Sequence, residues 1–261
     1  MEKIVSKTNP KIKNVSKLVA SSSFRKETGL FCIEGLRLCM DAVKSNVQIQ
    51  QTFFSDSILK KHPVEAEQIE SFSSESYEVN QEVFSKISDT GSPQGVLCVC
   101  KKCENVTDEI TLKNDGKYVF LENVQDPSNL GTVCRTAEAL GIDAAILCGC
   151  CDIFNPKVLR GSMGAVFRLK IGVADSASEF LKKCNEQGFK TFATVTDKNA
   201  EKITGVSFDG GVVCVIGNEG NGVSREVIDI CSQKITIPML GRAQSLNASA
   251  AACITMWEML R

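Results

Sequence analysis

The chemistry this chain could carry is concentrated in three short segments of its second half. The first, Asp126-Pro127-Ser128-Asn129-Leu130-Gly131-Thr132-Val133-Cys134-Arg135, sets an amide and a guanidinium beyond an apolar run that ends at Leu121. An amide both donates and accepts, and a guanidinium is a permanent cation rich in donors, so the pair suits an anionic or hydroxylated substrate. On a helix a bare arginine is more often a plain surface cation. The second segment, Gly217-Asn218-Glu219-Gly220-Asn221-Gly222, follows the apolar run Val212 to Ile216. Its glycines imitate the spacing of a triphosphate-binding loop, but Val223 stands where that loop needs a lysine, and the dinucleotide fingerprint is also absent. Two readings stay open for it: backbone that closes on a small ligand, or a simple turn. The third segment runs from Ile237-Pro238 through Gly241-Arg242 to Ser245-Leu246-Asn247 and then into the small residues Ala248 to Ala252. Small side chains let a helix approach other backbone closely, for core packing, a ligand slot or both.

The elements that must hold these segments follow from periodicity. From Tyr118 onward, the apolar runs at 118–121, 144–147, 191–195, 212–216 and 234–237 alternate with helical stretches, which predicts a largely parallel sheet. Such open sheets bind ligands at the carboxyl ends of their strands. In the first segment Leu130, Val133, Cys134, Ala137 and Leu140 form a buried helical stripe that Gly141 ends, leaving Arg135 off it. In the third, Leu246, Ala250, Cys253, Ile254, Trp257 and Leu260 fall on one helical stripe. Upstream, Ile12, Val15, Leu18 and Val19 predict an amphipathic helix over 10–22 with a basic polar face. A strand at 31–33, a helix at 36–43 and strands at 51–54 and 95–100 complete a small α/β unit. The turn-rich Asp89 to Gln94 and the charged stretch 101–117 place the boundary. We therefore expect a first domain at 1–103, a linker at 104–116 and a second domain at 117–261.

A hydrophobic content of 43% with 23% charged residues is that of a chain with a sizeable core. The start lacks a secretory apolar core and no stretch approaches the length of a membrane span, so a soluble cytoplasmic protein without a membrane partner is expected. Thirteen cysteines accompany a single histidine, His62. We read them as reduced, small apolar residues; the clusters Cys98, Cys100, Cys103 and Cys148, Cys150, Cys151 lack the paired knuckles of a zinc ribbon, and no metal is expected. The net charge of -1 hides a basic opening with Lys3, Lys7, Lys11, Lys13, Lys17, Arg25 and Lys26. Such a face either solvates a helix or meets phosphate.

Taken in order, Asn129 with Arg135, Gly217-Asn218-Glu219-Gly220 with Gly222, and Ser245-Leu246-Asn247 resemble the three signature motifs of the SpoU (TrmH-like) RNA ribose methyltransferases of the SPOUT superfamily. Pro156 to Val166, which contains Arg160, is also similar to that family. Asn9-Pro10-Lys11-Ile12-Lys13, Phe24-Arg25, Phe31 to Gly35 and Thr90 to Gly95 resemble its amino-terminal substrate-binding domain, which has a ribosomal-protein-like α/β fold. The resemblance implies a carboxyl-terminal α/β trefoil knot with a mostly parallel sheet, in spite of the general rarity of knots. It implies S-adenosyl-L-methionine bent in that knot against Gly217, Ile237 and Leu246, with Thr194 a further candidate. It implies structured RNA as substrate, contacted through Lys11, Lys13, Arg25 and Arg160, and a homodimer joined through the knot helices with each active site near the interface.

Methyl transfer to a ribose 2′-hydroxyl needs oxygen, carbon and sulfur in line, so positioning dominates. The motifs hold no histidine. Arg135 is the family's candidate catalytic group, and its very high pKa makes an electrostatic role preferable to that of a base. Asn129 and Asn247 would orient ribose and arginine, and Glu219 would fix the glycine loop. Glu122 is a second candidate base, though capping or pairing near its strand end is favoured. Ribosomal RNA, of the large subunit by preference, is the expected substrate, with transfer RNA as the alternative. A non-catalytic RNA-binding factor and a small-nucleotide enzyme are the rival classes.

Overall fold

The computed structural model describes residues 1–261 and divides into two compact units. The first, Met1–Glu104 together with Phe154–Phe167, contains β1 (Glu2–Ile4), α1 (Pro10–Ala20), α2 (Ser22–Thr28), β2 (Leu30–Glu34), α3 (Leu36–Lys44), β3 (Ile49–Ser55), α4 (Asp56–Lys61), α5 (Pro63–Ser71), β4 (Ser73–Val79), α6 (Gln81–Ile87) and β5 (Val96–Lys101). Its five-stranded sheet has the order β1-β4-β3-β5-β2. β1, β4 and β3 are parallel, whereas β5 runs antiparallel to both β3 and β2.

Asn9 caps α1 by accepting from the Lys11 amide, and Pro10 occupies the first turn, where its missing N–H costs nothing. Ile12, Val15 and Leu18 are buried as expected, but the helix stops at Ala20 because Ser21 caps a second helix through the Phe24 amide. This break explains Arg25. Its side chain is buried, and Nη1 donates to the carbonyl oxygens of Leu18 at 2.6 Å and Val19 at 3.1 Å, closing the end of α1. Arg25 is thus a structural donor, and its assignment to RNA is corrected.

The second unit, Asn105–Ile153 with Arg168–Arg261, continues with β6 (Val106–Thr107), β7 (Lys117–Glu122), α7 (Pro127–Leu140) and β8 (Ala144–Cys148). In chain order α8 (Pro156–Ser162) comes next and groups with the first unit. Then follow β9 (Ile171–Val173), α9 (Ala177–Glu186), β10 (Lys190–Thr194), β11 (Glu201–Lys202), β12 (Val212–Ile216), α10 (Arg225–Ile230), β13 (Gln233–Thr236) and α11 (Ala248–Leu260). The eight strands are ordered β11-β13-β10-β12-β7-β8-β9-β6, and each pairing is parallel. β8 and β12 are buried along their whole length, which is why they read as unbroken apolar runs rather than alternating ones.

Two boundaries differ from the sequence reading. Residues 104–116 are not a free linker, because Val106 and Thr107 pair with Ile171 and Gly172 at the sheet edge. The stretch Phe154–Phe167 leaves the second domain for the first unit, where Phe154 stacks on Phe31 at 4.5 Å between ring centroids. The stripe of Cys253, Ile254, Trp257 and Leu260 is also turned around. α11 buries Ala248, Ala252, Thr255, Met256 and Met259, while Ile254, Trp257 and Leu260 face outward, Trp257 being 59% exposed. Small residues on the inner face let α11 pack on α7 and β12.

All thirteen cysteines are free thiols, and no group of His, Cys, Asp or Glu side chains is arranged to hold a metal ion. Burial pushes the Cys103 and Cys151 thiols up to about 11 and Cys150 to about 12. No helix is long and apolar enough to cross a membrane. Removing the Arg25 guanidinium takes its donor from the buried Leu18 carbonyl and from the half-buried Val19 carbonyl. We expect Arg25→Ala to cost about 2–3 kcal/mol and to lower the melting temperature by about 5–10 °C in scanning calorimetry.

Candidate active site

At the carboxyl edge of the second sheet, β7 ends in Glu122, β10 in Thr194, β12 in Ile216 and β13 in Thr236. A cavity of about 330 Å³ opens there, and Thr194, Gly217, Ile237 and Leu246 all line it. Its wall also takes in the loop after β12, residues 195–196, Met239, Gln244, Ser245 and the small residues Ala248 and Ala251. No lysine, arginine or histidine lines it, and Glu219 is its one carboxylate. A larger cavity of this unit, about 650 Å³, lies elsewhere, between residues 108–112 and α9, and holds none of the motif residues.

The glycine loop is folded on itself. Asn218 and Gly222 exchange backbone hydrogen bonds at 3.0 and 2.9 Å, and Gly222 takes φ +67°, a left-handed value that favours glycine. A Cβ on Gly217 would sit 2.1 Å from both the Gly222 carbonyl carbon and the Val223 nitrogen. Gly217 is therefore imposed by the loop's own backbone, a tighter demand than contact with a ligand. The Asn218 side chain accepts from the amides of Gly220 and Asn221 and donates to the Asn123 carbonyl at 2.8 Å. Neither Asn218 nor Asn123 is among the candidate site residues read from the sequence, although Asn218 stands inside the second motif, directly after Gly217. Glu122 is buried and its carboxylate accepts from the Ser224 amide at 2.8 Å. It braces the loop from the adjacent strand.

One chain of side chains joins the three motifs. Asn247 Nδ2 donates to Asn129 Oδ1 at 2.9 Å, and Asn129 Nδ2 donates to Glu219 Oε1 at 3.0 Å. Glu219 also accepts from the backbone amides of Asp126 at 3.0 Å and Gln125 at 3.2 Å. Asn129 is buried on α7, whose cap is Asp126 accepting from the Ser128 amide. Asn247 caps α11 through the amides of Ser249 and Ala250. Partial burial pushes the Glu219 carboxyl up, but the donors from Asn129 and from the Asp126 and Gln125 amides outweigh it and hold the group below the usual glutamate range.

Arg135 is brought to none of these. It lies on the exposed side of α7, outside the cavity wall and without an intramolecular ion pair. The expected RNA contacts are also mostly committed elsewhere. Lys11 pairs with Glu75 at 3.0 Å, donates to the Tyr77 hydroxyl and lies over that ring. Hydrogen bonds from Tyr77, Gln51 and Lys11 pull the Glu75 carboxyl down to about 2. Arg160 pairs with Asp89 at 2.8 Å. Lys13 alone of the four stands exposed and free, so the structure gives Lys11 and Arg160, like Arg25, intramolecular partners in place of a phosphate.

Two outcomes follow. Gly217→Ala drives a methyl into the loop backbone and should abolish the calorimetric heat with S-adenosylmethionine while the first unit stays folded. Glu219 has a lowered folded pKa, so its stabilisation of the loop is present above the unfolded glutamate value and lost as pH falls through the folded one. Glu219→Gln should flatten the acid limb of cofactor affinity measured from pH 6 down to about 3; an unchanged limb would show that another group controls it.

Residues 116–257 match the SpoU rRNA Methylase family, and residues 9–98 match the MRM3-like substrate binding domain. The chain is 30% identical over 260 residues to 23S rRNA (guanosine(2553)-2'-O)-methyltransferase RlmP of Bacillus subtilis, covering 99% of each. It is 30% identical over 259 residues to an uncharacterised tRNA/rRNA methyltransferase of Synechocystis, covering 99% of this chain and 93% of that protein. The crystal structure of an AdoMet-bound rRNA methyltransferase from Sinorhizobium meliloti superposes with a TM-score of 0.85 at 30% identity, over 99% of this chain and 97% of the other. With this superposition and its own all-parallel sheet, the second unit has the α/β trefoil-knot fold expected from its motifs. With both of its units and all three motifs accounted for, the chain belongs to the SpoU rRNA methylase family.

Proposed function

We propose that the protein transfers a methyl group from S-adenosyl-L-methionine to a ribose 2′-hydroxyl of ribosomal RNA in the cytoplasm. The observation that carries this reading is the cavity at the motif edge: it is walled by glycine backbone, small residues and apolar side chains, and it offers no cation. A triphosphate would find nothing there to neutralise it, whereas an adenosyl group with a sulfonium suits a wall whose one charge is Glu219. Gly217, Ile237, Leu246 and Thr194 are the residues that would hold it. When bound, the donor supplies an electrophilic methyl and leaves as the neutral thioether.

The chain's own part is to position the hydroxyl and to stabilise the oxygen as its proton departs. Asn129 and Asn247, locked to each other and to Glu219, give the ribose a fixed set of amide donors and acceptors. Arg135, exposed and unpaired, is a cation held ready for an anion, which we assign as the phosphate beside the target ribose. The outward face of α11, with Ile254, Trp257 and Leu260, is the surface through which two copies would pair, with α7 beside it. Substrate choice within ribosomal RNA follows the Bacillus subtilis relative in favouring the large subunit.

Incubation with tritiated donor and in vitro transcribed 23S ribosomal RNA, followed by mapping of alkali-resistant positions, tests the reaction; absence of any 2′-O-methyl product would overturn it. Arg135→Ala should lower kcat at least about 100-fold while leaving donor affinity within about twofold, since the residue is off the cavity wall. Trp257→Glu should shift the sedimentation coefficient from dimer to monomer.

A further inference from the structure

The first unit carries cations that its own carboxylates do not answer. On the opening segment, Lys3 pairs with Glu78 at 2.8 Å, Lys7 with Glu82 at 3.1 Å and Lys11 with Glu75 at 3.0 Å, so much of that basic face is neutralised within the unit. Arg37 and Lys61 differ: both are exposed and neither has an acidic partner. They stand on the rim of a groove of about 630 Å³ whose apolar floor is Leu36, Met40, Ile58 and Pro93, with His62 and Gln94 beside them. The one carboxylate in the groove, Glu65, lies 3.6 Å from His62 Nδ1.

The groove is held rigid from below. Gln94 Oε1 accepts from the Leu36 amide at 3.0 Å, and Gly35 N–H donates to the Val96 carbonyl at 3.0 Å. Gly35 takes φ +103° and Gly95 φ +92°, and a Cβ on Gly95 would meet Ser55 Oγ at 2.1 Å. The buried carboxylate of Glu34 accepts from Ser88 Oγ, Thr90 Oγ1 and the Asp89 amide, binding the 88–95 loop to the end of β2. The two segments that resemble the family, Phe31 to Gly35 at the end of β2 and the loop Thr90 to Gly95, thus build one platform, and α4 closes its side. A fixed apolar floor under unanswered cations fits a splayed nucleotide, whose base needs a flat apolar contact and whose phosphate needs a guanidinium or ammonium.

We propose that this groove receives an unpaired nucleotide of the RNA substrate, with its base over Leu36, Met40, Ile58 and Pro93 and its backbone phosphates held by Arg37 and Lys61. The inference rests on the reading that the chain acts on RNA, and it replaces the α1 face as the gripping surface of the first unit.

The test is fluorescence anisotropy of the full chain with a short labelled single-stranded RNA of mixed sequence and with the matching duplex, at several salt concentrations. The double variant Arg37→Ala/Lys61→Ala should weaken single-strand binding about tenfold and lower the slope of log affinity against log salt by about 1.4, two phosphate contacts' worth. Duplex binding should fall less. Lys3→Ala/Lys7→Ala, on the self-neutralised face, should change neither, and the heat of S-adenosylmethionine binding should be the same in all three proteins. A double variant with wild-type affinity and slope overturns the proposal, as does an equal loss on duplex or an equal loss in the control pair. A wild-type chain that binds RNA in this manner but never methylates it would instead overturn the proposed reaction and leave the groove standing.

Discussion

Asn129 sits buried between two partners that come from distant parts of the chain, and the second unit's function depends on that contact. Its amide nitrogen donates to Glu219 and its oxygen accepts from Asn247, across separations of 90 and 118 residues. A carboxylate can only accept, so Glu219 orients the Asn129 amide, and the orientation of that amide in turn decides which end of Asn247 faces it. Asn247 then has its oxygen free to cap α11, and Glu219 has its second oxygen free for the Gln125 amide. Every donor and acceptor direction in the relay is fixed by the one group that cannot donate.

Around that relay the protein uses backbone where many nucleotide sites use charge. The loop after β12 closes by its own amides, with Gly217 pressed against Gly222 and Val223, and Glu122 ties its far end to β7. The result is a wall of fixed dipoles and apolar surface that cannot collapse into the cavity. The first unit follows a different plan, in which Gly35, Gly95 and the buried carboxylate of Glu34 join two loops into a platform and leave long cationic side chains to reach outward. Rigid backbone in both units carries the side chains that must meet an RNA.

Much of this was legible in the residues. Buried parallel strands announce themselves as unbroken apolar runs, and the second and third motifs hold much of the cavity wall. Partnership was not legible. Lys11, Arg25 and Arg160 look in sequence like any exposed cations, and only the fold shows that Glu75, the Leu18 carbonyl and Asp89 have claimed them. Arg37 and Lys61 carried no signal because what distinguishes them is the lack of a neighbour. The α11 stripe misled for another reason: a helix with small residues on one side and large apolar ones on the other can bury either, and here close packing against α7 selected the small side. The edge strands β6 and β11, two residues each, are too short for any pattern to register.

The cavity wall draws on β10 and β12 and is completed by Leu246, Ala248 and Ala251, and the relay is completed by Asn247. Positions 246–251 follow every strand of the sheet in chain order. Domains form as their chain emerges, so the first unit and most of the sheet can settle while the donor pocket is still missing a side. The cavity therefore closes as a late event in the folding of the second unit, after the strands that frame it.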